Sequence, residues 1–275
     1  MLRLYFIRHG ESTNNVLAEK MGACDRFYQE RNPDPPLTSL GESQAHCVGR
    51  RMAHEVPELS QIWCSYLHRA ISTAHGIFQE HPKSPQIVLL PGIAELGGYY
   101  CYCPNSKRHV ASTGPNNAQI LERFSWMRQE GVPVSLAPEA EGGWNTTTQR
   151  ENAPQARKRA DSLVSLLEQR CLGLSTTTSS SSPVLDINII THGDFFECVM
   201  GVLFNKIRAA AAGRKKVNGC SGTKGGIVLP GEPPQVRNTS VTCFTCSVER
   251  AASDDVVFCW RLNYIDDISH LETEK

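Results

Sequence analysis

The sequence predicts an α/β protein of three layers, with a mostly parallel central sheet covered by helices on both faces. Three observations point there. Short apolar runs alternate with amphipathic stretches along much of the 275 residues. Two of these runs, Leu2 to Ile7 and Val184 to Ile190, are dense in branched and aromatic residues, as buried strands are. Each of those two delivers a histidine followed by glycine, His9-Gly10 and His192-Gly193. Open parallel sheets bind ligands at the carboxyl ends of their strands, so one crevice can collect both histidines.

The elements follow in order. Prolines from Pro33 to Pro36 mark a loop, and Ser39-Leu40-Gly41-Glu42 reads as a capping box opening a helix to about His54. Gln61 to Cys64 reads as a short strand, and a helix over His68 to Glu80 sets Ala70, Ala74 and Ile77 on its buried face. Ile87 to Leu90 is the next strand, closed by Pro91-Gly92 ahead of Glu95. Between Gly97 and Asn152 the pattern loosens into Gly-, Pro- and Asn-rich loops around one helix, Ala118 to Gln129, and is read as a lid-like insertion. A long amphipathic helix, Ala153 to Cys171, leads into a Ser/Thr tract, with 173–183 read as a flexible surface loop. A helix over Phe195 to Phe204 follows the strand that ends at Ile190. Residues 209–235, with Arg214-Lys215-Lys216 and Pro233-Pro234, read as a second flexible loop. Strands at Ser240 to Val248 and Val256 to Tyr264 close the chain, which is read as one domain over 1–275.

Bulk composition narrows the partners. Lys plus Arg and Asp plus Glu balance at 28 each, which gives no electrostatic case for nucleic acid or an anionic membrane. The opening apolar stretch is too short for a signal peptide, and no run approaches the roughly 18 apolar residues of a membrane span. Eleven scattered cysteines, odd in number, fit reduced thiols in a cytoplasmic protein better than a disulfide framework. Cys243 and Cys246 have zinc-like spacing, yet within one strand they face opposite sides, which opposes shared ligation.

The strand-end residues suit phosphoryl chemistry. Hydrolysis of a phosphate monoester is among the slowest uncatalysed reactions, so it demands a nucleophile, neutralised charge and a proton for the leaving alkoxide. His9 attacks phosphorus if it is neutral and its second ring nitrogen is held, and flanking arginines favour the neutral form. Arg8 and Arg69 supply guanidinium forks for phosphate oxygens, Arg69 near a helix start where free amides add positive potential. Glu95, after its Pro-Gly turn, can protonate the leaving oxygen and then activate water. His192 and Gly193 bring a second imidazole and helix amides to the same crevice.

Arg8-His9-Gly10-Glu11-Ser12 with Asn15, Pro36-Leu37-Thr38 with Gly41, Ser65-x-Leu67-x-Arg69-Ala70 with Thr73-Ala74, the Glu95 segment, Thr191-His192-Gly193 and Asn238-Thr239-Ser240-Val241 resemble the histidine phosphatase superfamily. Order and rough spacing match over nearly the whole chain. The resemblance implies a phosphoglycerate mutase-like fold and a phosphohistidine at His9. It further implies a phosphate pocket of Arg8, Arg69 and His192, Glu95 as proton donor, and Asn15 and Ser65 beside the pocket. It implies no metal or organic cofactor, and as partner a small phosphorylated substrate or a phosphoprotein.

The family holds phosphatases and mutases. Mutases resemble one another in an Arg-His-Tyr-Gly-type stretch after the acidic residue, whereas this chain has Leu96-Gly97-Gly98-Tyr99-Tyr100, so net hydrolysis is expected ahead of mutase activity. A catalytically silent phospho-ligand binding module is the third reading. In the insertion, Lys107, Arg108 and His109 are either second-anion contacts or a solvated basic loop, and Tyr99, Tyr100 and Trp144 either wall the pocket or pack the insertion.

Overall fold

The computed structural model describes all residues except 23, 148, 176–183, 218–228, 230, 251–255 and 273–275. The chain runs β1 (Leu2–Arg8), α1 (Thr13–Met21), α2 (Asp25–Glu30), α3 (Ser39–Glu55), β2 (Gln61–Cys64), α4 (His68–Glu80), β3 (Gln86–Leu89), β4 (Tyr100–Cys103) and β5 (Arg108–Ala111). It continues with α5 (Asn117–Arg123), α6 (Trp126–Gln129), β6 (Val134–Ser135), α7 (Ala153–Ser175), β7 (Leu185–Thr191), α8 (Gly193–Val217), β8 (Val241–Arg250), β9 (Val256–Asp267) and α9 (Ser269–Glu272).

Seven strands form one sheet in the order β6-β3-β2-β7-β1-β8-β9. The first five are mutually parallel, while β8 and β9 join antiparallel at one edge. The three-layer, mostly parallel architecture is therefore the one the sequence predicts. One face carries α3 and α4, whose Val48, Met52, Ala70, Ala74 and Ile77 are fully or almost fully buried with Ile7 and Ile62. The other carries α7 and α8, where Val164, Leu167, Phe196 and Val199 pack on Leu4 and Phe6. Phe6 stacks on Phe196 at 4.7 Å and meets Phe244 edge-on at 6.0 Å, which locks β1 to α8 and β8. Truncating such a buried ring to Ala costs about 3–5 kcal/mol.

This layering positions the site. β1 and β7 are adjacent and parallel, but the chain leaves β1 toward α3 on one face and leaves β7 into α8 on the opposite face. Their carboxyl ends consequently border a crevice at a switch point, the usual ligand position in open α/β sheets.

Several boundaries differ from the sequence reading. The N-cap of α3 is Thr38, one residue before the expected capping box: its extended backbone lets the hydroxyl accept from Gly41 N at 3.0 Å. The helix expected over Ala118 to Gln129 is two, α5 and α6, because Phe124 leaves helical backbone (φ −108°, ψ 60°) to bury its ring. The insertion is also less lid-like than expected. Its β6 extends the main sheet beside β3, and Val132, Ala137, Ala140 and Trp144 are buried in the α3–α4 core. A separate two-stranded hairpin, β4–β5, was invisible to apolar periodicity because its strands are only four residues each. Both loops called flexible begin in helix: α7 continues to Ser175, and α8 continues through residue 217. The remainder of the first loop up to 183, and 218–228 of the second, lie outside the described residues.

Among the described residues no helix is long and apolar enough to cross a membrane, and no group of three or more His, Cys, Asp or Glu is arranged to hold a metal ion. Cys243 packs in the α3–α4 core and Cys246 in the α7–α8 core, on opposite faces of β8.

Candidate active site

His9 leaves β1 at its carboxyl edge, and its backbone N donates to Thr191 O at 3.1 Å, continuing the β1–β7 ladder. The ring is 2% exposed, with Nδ1 2.7 Å from the Gly10 carbonyl oxygen. A carbonyl only accepts, so Nδ1 carries the hydrogen and Nε2 presents a lone pair. Arg69 Nε donates to that lone pair at 3.0 Å. Burial, reinforced by the Arg69 and Arg8 charges, holds the His9 pKa well below the ordinary histidine value. The imidazole is neutral, the state a nucleophile needs.

Glycine is required beside it. A Cβ at Gly10 would overlap the Gly41 carbonyl, and one at Gly41 would overlap the Glu11 carbonyl, so the loop after β1 lies directly on the start of α3. Thr73 Oγ1 accepts from Gly10 N at 3.0 Å and donates to Arg69 O at 2.7 Å, joining the histidine loop to α4.

Four cationic or polar groups share the crevice. Arg69, on the first turn of α4, is 6% exposed, and burial pushes its pKa down to about 10. Arg8 donates through Nη1 to Val236 O at 2.6 Å, and its guanidinium lies against Gly193, where a Cβ would come within 3.6 Å. The His192 ring stands 5.1 Å from that of His9, and burial, then Arg69, keep it neutral. Ser65 Oγ accepts from Leu67 N at 3.3 Å and lies 2.8 Å from His192 Nε2. With the hydroxyl hydrogen given to Nε2, His192 carries its own hydrogen on Nδ1. His192 Nδ1, Arg8 Nε and Arg69 Nη1 are all buried without a hydrogen-bond partner. Such atoms are costly to leave unmet, and together they suit a tetrahedral anion.

Glu95 follows the one-turn helix Pro91–Ile93. Its Oε1 accepts from Leu96 N at 2.8 Å and from Phe195 N at 3.0 Å, the latter in the first turn of α8. Burial and the Asp194 charge raise its pKa, opposed by Arg69 and these two hydrogen bonds. The carboxyl thus borders the crevice with its pKa held above the ordinary carboxylate value.

The remaining expected residues have different duties. Asn15 Oδ1 accepts from Ser12 N (2.9 Å) and Ser12 Oγ (2.8 Å), so it builds the cap of α1 and keeps only its amide nitrogen for a ligand. Ser65 is fully buried and orients His192. Lys107 and Arg108 are exposed at the β4–β5 turn, whereas His109 turns inward between Tyr28 and Tyr100. Trp144 packs the insertion against Tyr66 and Tyr99. A cavity of about 520 Å³ on the insertion side is lined by Tyr99, Ser112, Gln119, Glu122 and Arg123, and it includes none of the strand-end residues.

Three positioning residues had no role in the sequence reading. Asn238 Nδ2 donates to His9 O at 2.9 Å, and Asn238 stood within the Asn-Thr-Ser-Val motif without an assignment. Asp34, buried between prolines, accepts from His68 N (2.7 Å) and pairs with Arg123 (2.7 Å), setting the start of α4. Arg159 of α7 donates to Ala94 O (2.7 Å), pairs with Glu151 (2.6 Å) and covers the Phe195 ring at 4.0 Å, so it fixes both segments that hold Glu95. A lone charge on an amphipathic helix gives no such signal.

Known proteins resemble this chain in sequence and in fold. Residues 4–99 match the family model of the histidine phosphatase superfamily (branch 1). The protein named "Probable phosphoglycerate mutase GpmB" of Yersinia enterocolitica is 26% identical over 223 residues, covering 80% of this chain and 83% of that one. The 2,3-bisphosphoglycerate-dependent phosphoglycerate mutase 1 of Latilactobacillus sakei is 35% identical over 80 residues, 29% of this chain and 30% of that one. Among solved structures, the mycobacterial glucosyl-3-phosphoglycerate phosphatase complexed with VO3 has the same fold, at a TM-score of 0.50 and 17% identity, over 96% of this chain and 98% of that chain. The matched segment runs from β1 past Glu95, similarity to the first of these relatives extends along most of the remainder, and on these grounds the chain resembles the histidine phosphatase superfamily.

Proposed function

We propose that the protein hydrolyses phosphomonoesters through a phosphohistidine on His9, with Glu95 as proton donor. One observation carries the reading: a neutral His9, its Nδ1 held by the Gly10 carbonyl, presents Nε2 beside the unpartnered buried atoms of Arg8, Arg69 and His192. Nε2 attacks phosphorus, the ester oxygen departs with the Glu95 proton, and the bridging P–O bond breaks. A water then attacks the phosphohistidine and gives its proton to Glu95, and inorganic phosphate leaves. The cationic groups neutralise charge on the equatorial oxygens throughout.

The mutase names of the curated relatives favour a second reading, in which the phosphoryl group returns to another hydroxyl of the same molecule. The absence of an Arg-His-Tyr-Gly-type stretch after Glu95 favours water as acceptor. The P–N bond of phosphohistidine is labile in acid, so the test is alkaline quench and peptide mass spectrometry during turnover of a phosphomonoester. A phosphate on His9 with stoichiometric phosphate release supports hydrolysis; turnover with no label on His9 overturns the mechanism. Isomerisation of phosphoglycerates without net phosphate release selects the mutase reading.

A further inference from the structure

On the rim of the crevice lies a group of cations set among aromatic rings. The Arg31 guanidinium sits 4.2 Å from the centre of the Tyr100 ring, and Arg150 lies 4.7 Å from the same ring and 5.5 Å from that of Tyr28. The His109 ring meets Tyr28 at 5.4 Å and Tyr100 at 5.2 Å. Among the described residues no carboxylate pairs with Arg31 or Arg150, in contrast to Arg123 and Arg159, whose salt bridges are short. Arg31 Nη1 and His109 Nε2 are buried without a hydrogen-bond partner.

The group adjoins the phosphoryl machinery. The Arg31 charge is close enough to help depress Arg69, and a Cβ at Gly97, two residues past Glu95, would come within 2.9 Å of Tyr100 and 3.3 Å of Arg150 Nε. Guanidinium groups without a salt-bridge partner raise the local positive potential, which adds to burial in lowering the His109 pKa through Arg150 and Arg31, against the opposing charge of Asp25. Stacking on tyrosine faces offsets part of this and fixes the forks, leaving their N–H groups for an oxyanion.

We infer that Arg31, Arg150 and His109, seated on Tyr28 and Tyr100, form a second anion subsite that takes a carboxylate or phosphate carried by the substrate beyond its scissile phosphoryl group. The inference rests on the hydrolase reading and adds a substrate class to it: phosphomonoesters with a second anionic group. Tyr100, expected to wall the pocket or pack the insertion, is then the platform of the subsite.

The test compares three esters on the full chain: glycerol 3-phosphate, which lacks a second anion; 3-phosphoglycerate, which adds a carboxylate; and propane-1,3-diyl bisphosphate, which adds a phosphate. The wild-type protein is expected to favour one or both esters that carry a second anionic group in kcat/KM. Arg31→Gln then lowers kcat/KM about tenfold or more for the favoured ester and less than about twofold for glycerol 3-phosphate, as expected for loss of a charge-assisted hydrogen bond. Arg31→Lys, which keeps the charge but loses the fork, falls between. The ratio of the two anionic esters tells carboxylate from phosphate. Equal losses on all esters, or no wild-type preference while phosphohistidine forms at His9, overturn the subsite. If no ester is turned over, the hydrolase reading fails separately. Calorimetric affinities for the same compounds then decide the subsite: a wild-type preference abolished by Arg31→Gln supports it, and no preference overturns it.

Discussion

Arg69 Nε and His9 Nε2 stand 3.0 Å apart, with the guanidinium donating to the lone pair that bonds to phosphorus in the proposed mechanism. The two interactions exclude each other. Substrate binding therefore has to turn the Arg69 N–H from the ring to a phosphate oxygen, exchanging a neutral acceptor for an anionic one. A lysine cannot make that exchange through a rigid fork. Arg69→Lys is expected to reduce kcat/KM by about 10²–10³, as loss of a preorganised donor does, and to slow phosphoenzyme formation in rapid-quench experiments. Wild-type rates of phosphoenzyme formation in this variant would show that the exchange is unimportant.

Glu95 works as an acid only while protonated, and burial with Asp194 raises its pKa. The basic limb of kcat/KM should follow that carboxyl. Asp194→Asn removes the negative neighbour, lowers the Glu95 pKa and moves the limb to lower pH. Glu95→Gln should cost about 10²–10⁴ on esters with poor leaving groups and much less on activated aryl esters, measured as steady-state kcat. Equal losses on both ester classes would remove Glu95 from the acid role.

Stability should weaken on mild acidification. His9, His68, His75, His109, His192 and His270 all have pKa values depressed by burial, so the unfolded chain binds more protons as pH falls through the ordinary histidine value of 6.5. Folded stability is full above that pH and declines below it. Glu95 and Glu197, with raised pKa values, act in the opposite sense at lower pH, but they are two against six. A thermal melt series from pH 7.5 to 5 should show Tm falling, and a flat or rising Tm would contradict the neutral-histidine account.

Gly41→Ala places a methyl group in the Glu11 carbonyl, and the loop holding His9 must shift. Overpacking of this kind costs about 1–3 kcal/mol, read as a lower urea midpoint. Activity should fall by more than the unfolded fraction explains, because the shifted loop carries His9, the proposed nucleophile. Gly92, where an added Cβ meets nothing within 4 Å, is the control.

His9 and His192 were legible because a strand ending in a histidine has a fixed address in a parallel sheet, and β1 and β7 are long and apolar enough to read. Phe124 shows where periodicity misleads: Ile120, Phe124 and Met127 keep helical spacing, yet the backbone between them is not continuous helix. The β4–β5 hairpin and β6 escaped because strands of four and two residues take their stability from tertiary partners rather than from a local pattern. Asp34 and Arg159 escaped for another reason. Each acts through backbone carbonyls and amides of segments far away in sequence, and no side-chain pattern encodes those.

β1 precedes both its sheet neighbours by a long interval of chain: Leu185–Thr191 on one side and the strand beginning at Val241 on the other. The Asn238 amide that grips the His9 carbonyl is 229 residues downstream. Contacts of such separation form slowly, and an apolar strand left waiting is prone to wrong pairing during synthesis. His9, the proposed nucleophile, is set in place only once Thr191 and Asn238, both long after it in sequence, have been made.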